Sequence, residues 1–130
     1  MTTKVEAANI YIRKNIIKKA KIKMLNTFEK DNFSALIRIL LRKYLNYEIK
    51  INESEYKKYI KSTDQTTNNK TRLNIYFIRE DLNKFEKRIY DLLSKNRQRN
   101  KMIDLLIYKW INNNIEITIK EFNEEDNIEH

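Results

Sequence analysis

Two stretches of the chain alternate between apolar and polar side chains. In residues 8–13, ANIYIR, Ala8, Ile10 and Ile12 fall on one side and Asn9, Tyr11 and Arg13 on the other. In the second stretch, Leu73, Ile75 and Phe77 oppose Arg72, Asn74 and Tyr76. A period of two over this length predicts half-buried strands. Apolar residues then recur at spacings of three and four, which mark one face of a helix. Ile17, Ala20, Met24 and Phe28 predict a helix over 15–29, and Leu82, Phe85, Ile89 and Leu93 one over 80–94. Second helices follow over 33–46, with Asn32 placed as N-cap, and over 99–112. The alternating segments YEIKI and NIEITI predict a second, minor ribbon, and NESEYKKYIK and KEFNEED predict short helices.

The two series correspond. NIYIRK at 9–14 returns as NIYFIR at 74–79, an offset of 65, and the first helices match at the same offset. Leu36, Ile37, Leu40, Leu41, Tyr44 and Leu45 match Met102, Ile103, Leu106, Ile107, Trp110 and Ile111 at an offset of 66. A turn between the helices absorbs the difference. The chain therefore reads as one unit duplicated, 1–61 and 72–130, joined by the linker STDQTTNNKT at 62–71. Each copy alone would bury only a thin core, so the two are expected to share one. A lone strand leaves its backbone groups unpaired, and the equivalent strand is the available partner. The expected fold is mainly α with a two-stranded antiparallel β-ribbon, two strand-helix-helix units related by a pseudo-two-fold axis. Four helices would cover the ribbon face that carries Ile10, Ile12, Ile75 and Phe77, leaving the other in solvent. Intrachain pairing is preferred, because the linker can span about 30 Å when extended.

Composition removes most chemistry. The 130 residues contain no Cys, no Gly and no Pro, and the single His is the last residue. Thiolate or His-based metal sites, disulfides and Gly-rich phosphate loops are thereby excluded, and no enzyme activity or cofactor is expected. No apolar run is long enough for a membrane span, and no signal peptide is visible, so a soluble, cytoplasmic protein is expected. The bias towards Ile, Lys and Asn fits A/T-rich codons, as in a viral genome. Without Gly, turns that need positive φ should fall to Asn or Asp. The net charge is +9, unevenly spread. Residues 1–65 hold 15 Lys and Arg against 7 Asp and Glu, a balance of +8, and residues 66–130 hold 12 against 11. Residues 116–130 carry six acids and one Lys. A basic body of this kind fits a polyanion partner, with the acidic tail solvated or folded over something basic.

Strand, helix, helix in this order, with SALIRILLRKYL as the second helix, resembles the ribbon-helix-helix family of DNA-binding proteins. The likeness covers residues 8–46 and 72–112. A duplicated chain is similar to tandem forms seen among regulators of archaeal viruses. The resemblance implies a transcription regulator, repressor or activator, that inserts its ribbon into the major groove of double-stranded DNA. Asn9, Tyr11, Arg13, Arg72, Asn74 and Tyr76 would then contact bases, since Asn can pair adenine and Arg guanine through two hydrogen bonds each. Lys14, Lys18, Asn32, Ser34, Arg97, Arg99 and Lys101 would contact phosphates, the last five at the start of the second helices. Self-association into a homodimer or into arrays on DNA is also expected from the resemblance. Two alternatives share these residues: an antitoxin of the same fold, or a structural protein coating nucleic acid without reading sequence. Asp104 stands where the first copy has Arg38, so the copies are not expected to make identical contacts. Tyr44 and Trp110 occupy one core position, where packing outweighs any role in base stacking.

Overall fold

The alternating stretches are strands β1 (Val5–Arg13) and β2 (Lys70–Ile78), paired antiparallel in a computed structural model that describes residues 4–128. Both begin a few residues earlier than the alternation predicted. Asn9 lies opposite Asn74, Tyr11 opposite Arg72, and Ala7 opposite Tyr76. Among the described residues this is the one sheet, and helices make up most of the rest.

Each strand runs directly into a helix, α1 (Lys14–Phe28) after β1 and α4 (Arg79–Leu93) after β2. In the order of the chain, α2 (Phe33–Leu45) and α3 (Glu53–Lys61) follow α1, and α5 (Arg99–Ile111) and α6 (Ile119–Asp126) follow α4. The inner ribbon residues Ile10, Ile12, Ile75 and Phe77 are buried against helices, as their phase requires. α2 and α5 form the centre. They pack on each other, and eight residues of α2 and seven of α5 are buried, more than one amphipathic face would supply. Phe28, Phe122 and Trp110 stack beside them, and Tyr44 meets Phe85 edge to face.

The short helices cross over. α3 packs on α5 and α6 packs on α2, so each covers a long helix from the other half of the chain. Asn52 caps α3, and a capping box of Thr118 and Glu121 starts α6. The acidic segment is thus folded over basic surface, with Glu125 buried between Arg38 and Arg42.

Two expectations fail for local reasons. YEIKI and NIEITI form no second ribbon. Residues at or just before their starts close the preceding helices instead: Tyr47 and Asn113 take positive φ, and the N–H groups of Glu48 and Asn114 return to Lys43 and Lys109. The remaining isoleucines, Ile49, Ile51, Ile115 and Ile117, are simply buried. Nor do Asn and Asp serve the positive-φ positions alone. Glu29, Tyr47, Ser94, Arg97 and Asn113 occupy them, so helix-ending geometry overrides side-chain preference.

Candidate nucleic-acid interface

Seven residues are exposed on the outer face of the ribbon, Val5, Ala7, Asn9 and Tyr11 on β1 and Arg72, Asn74 and Tyr76 on β2, and all but Val5 form a central strip of three facing pairs. Tyr11 is 40% and Tyr76 45% exposed, while Tyr47 and Tyr90 elsewhere on the surface are more exposed still. On one strand the side chains stand about 6.8 Å apart, twice the rise per residue. Adjacent strands are separated by about 4.8 Å, so the ribbon fits within a major groove about 12 Å wide.

Arg13 is not part of this strip. It was expected beside Asn9 and Tyr11, but it is only 6% exposed. It ends β1 and holds the N-cap position of α1, where the chain turns and carries the side chain inward. There its Nε and Nη2 donate to the Asp104 carboxylate at 3.0–3.3 Å, and Nη2 also donates to Tyr59 Oη at 2.6 Å. Tyr59 in turn donates to Asp104. Burial disfavours the guanidinium charge, but hydrogen bonding and attraction from Asp104 outweigh it and raise the Arg13 pKa. Burial, and then the Asp104 charge, push the Tyr59 hydroxyl far above its usual value. This cluster is structural. The residue that completes the β1 strip is Ala7, and the sequence contained the signal: at the offset of 65, Ala7 answers Arg72, whereas Arg13 answers the apolar Ile78.

The two ends of the ribbon differ in charge. Arg97, Arg99 and Lys101 stand at the start of α5, where no side chain caps the helix. Arg99 pairs with Glu86 at 2.7 Å and reaches the backbone oxygen of Asn9. Burial, then the charge of Lys101, hold the pKa of Lys70 below its ordinary value against the opposing pull of Asp104. Lys14 and Lys18 are exposed on α1. The start of α2 is different. Asn32 caps it by accepting from the Ala35 N–H at 3.1 Å, and its amide donates to Asp126 at 2.8 Å. Asp126 also pairs with Lys30 at 2.6 Å, and these partners lower its pKa. A phosphate approaching Asn32 and Ser34 would meet that carboxylate, so the expected anchoring role there is corrected by the placement of α6.

Two other basic residues, Lys23 and Arg88, are occupied. Lys23 donates to the Trp110 carbonyl and to Asn113 at 2.9 Å, closing the end of α5, and Arg88 donates to the Tyr44 carbonyl at 2.7 Å, closing α2. Trp110 and Tyr44 are buried and face no solvent. Among the described residues no group of His, Cys, Asp and Glu could hold a metal ion, and no helix is long and apolar enough to cross a membrane. Comparison with protein families, with curated proteins and with solved structures gave no match.

Proposed function

We propose that this chain is a sequence-specific double-stranded DNA-binding transcription regulator of ribbon-helix-helix type, with β1 and β2 lying in the major groove. The observation that carries this reading is the outer ribbon strip. Asn, Tyr and Arg side chains stand in solvent on a rigid two-stranded platform, one face of which is sealed onto a helical core. Asn9 and Asn74 suit adenine, Arg72 suits guanine, and the tyrosines supply hydroxyl and ring contacts. Lys14, Lys18, Arg97, Arg99 and Lys101 would hold phosphates on either side.

We read the molecule as two copies of one unit, joined as a pseudo-dimer within a single chain. Asn9 and Asn74 are equivalent at the offset of 65 and face each other in the ladder, which is where a pseudo-two-fold axis would pass. The buried charges favour this pairing. At the offset of 66, Arg38 answers Asp104 and Tyr59 answers Glu125. Pairing first copy with first copy would set Arg13 against a second chain's Arg38, with no carboxylate between them. Pairing second with second would bury Asp104 beside Glu125. Both leave uncompensated buried charge, which costs several kcal/mol per ion, on the order of the whole stability of a domain.

Selection of genomic fragments with the full chain, followed by footprinting, tests the function. Discrete protected sites are expected. Replacing Lys14 or Lys18 with Ala should weaken binding to all sequences and reduce the salt slope by about one each. Equal affinity for every sequence would instead make the chain a coating protein.

A further inference from the structure

The strip on the ribbon is not symmetric, and its asymmetry has a direction. Two of its three equivalent positions are identical, Asn9 with Asn74 and Tyr11 with Tyr76, and the third pairs Ala7 with Arg72. Because the strands are antiparallel, these two residues lie at opposite ends. Tyr11 and Arg72 face each other at one end, the two asparagines at the centre, and Ala7 and Tyr76 at the other end. Arg72 is exposed and enters no ion pair among the described residues, so its guanidinium is available to a ligand.

The surroundings carry the same polarity. Beyond Arg72 lies Lys70, with the charge of Lys101 acting on it. Beyond Ala7 lies Glu6, which faces Arg79 at 3.5 Å, and the next residues of α4 are Glu80 and Asp81. On that side Arg38 donates to the backbone oxygen of Tyr76 and holds the α6 acid Glu125. At the Arg72 end Lys70 and Lys101 enter no ion pair among the described residues, whereas at the Ala7 end Arg79 and Arg38 are each paired with a carboxylate.

Resting on the DNA-binding reading above, we infer that the ribbon recognises a directional, non-palindromic DNA site and docks on it in one orientation. Asn9 and Asn74 read the centre. Arg72 reads a guanine on one flank through O6 and N7, and Ala7, too short for a hydrogen bond, packs against a thymine methyl on the other. The two flanking contacts are separated by about 14 Å along the ribbon, on the order of four base pairs. A homodimer could not do this, since both its strands would carry the same triplet. Divergence at one position of the central strip gives one chain an orientation on DNA.

Two exposed substitutions test the inference, and neither touches the core. Arg72→Ala leaves Ala, Asn and Tyr on both strands, and Ala7→Arg leaves Arg, Asn and Tyr on both. Each protein is used to select duplexes from a random-sequence pool. The wild type should enrich a motif without dyad symmetry, with guanine on one flank. R72A should lose that guanine and enrich a palindrome, with about 10- to 100-fold weaker binding to the wild-type site. A7R should gain a second guanine and also enrich a palindrome. A palindromic wild-type motif, or a guanine that survives R72A, overturns the directional reading and leaves DNA binding intact. Failure of the wild type to enrich any sequence overturns both, and the two failures are distinct in the data.

Discussion

Replacing Asp104 with Asn tests the buried cluster that removes Arg13 from the outer strip of the ribbon. The Arg13 and Asp104 side chains are 8% and 2% exposed, so solvent screens their interaction little. The substitution keeps the shape of residue 104 but removes its charge, leaving the guanidinium of Arg13 buried with neutral partners. Removing one partner of such a pair costs about 3–5 kcal/mol, against about 0–1 for an exposed pair. The Asn oxygen still accepts a hydrogen bond, so about 3 kcal/mol is expected. For a chain of this size that lowers the melting temperature by on the order of 10 °C. Urea denaturation followed by far-ultraviolet circular dichroism measures the change. The triple replacement Arg13→Met, Tyr59→Phe and Asp104→Leu should recover most of the loss, since apolar side chains of similar volume leave no buried side-chain polar group of the cluster unpaired. A loss below about 1 kcal/mol for D104N would refute the reasoning. It would mean that Arg13 reaches solvent in the folded protein and remains a candidate for base contact.

Two further outcomes follow from the same structure. Glu29 and Ser94 end α1 and α4 with φ of 64° and 55°, so Glu29→Gly and Ser94→Gly should each stabilise the fold by about 1 kcal/mol in denaturant titrations. A loss of stability would show that these side chains contribute more than their backbone costs. Burial raises the Glu125 pKa, but hydrogen bonds and charge from Arg42 and Arg38 outweigh it, so the folded value lies below the ordinary 4.5. Its contribution is complete above that unfolded value and is lost as pH falls through the folded one. The stability gap between wild type and Glu125→Gln should therefore narrow below about pH 4.5. A gap that stays constant into strong acid would exclude a charged Glu125.

Much of this architecture is legible in the amino-acid order because periodicity is a direct physical record of which face is buried. The helix from Lys14 to Phe28 and its counterpart from Arg79 to Leu93 lie within one residue of the stretches their apolar spacing predicts. The outward phase of Asn9, Tyr11, Arg72, Asn74 and Tyr76 is legible for the same reason. Arg13 was misread because alternation says nothing about where a strand stops, and its last residue turns with the chain. Its burial depends on Asp104, which is 91 positions away and has no local signature. The position of α6 was only half legible, as one of two expectations for the acidic tail. A run of acids reads as solvated until the basic residues it meets, Arg38, Arg42, Lys43 and Lys30, are brought beside it by the fold. The failed second ribbon reflects competition: backbone groups used to close α2 and α5 are not free to form a ladder.

Base reading by the ribbon is tested most directly by the affinity of the full chain for one footprinted duplex and for a shuffled duplex of the same composition. Fluorescence anisotropy at fixed salt gives both constants, for the wild type and for the double replacement of Asn9 and Asn74 with Ala. The wild type should prefer its site by about 10³-fold or more. The double variant should lose most of that preference, about 1–3 kcal/mol per asparagine, while its affinity for shuffled DNA stays the same. Parallel losses on both duplexes, or a preference that survives the double replacement, would contradict base reading by the ribbon.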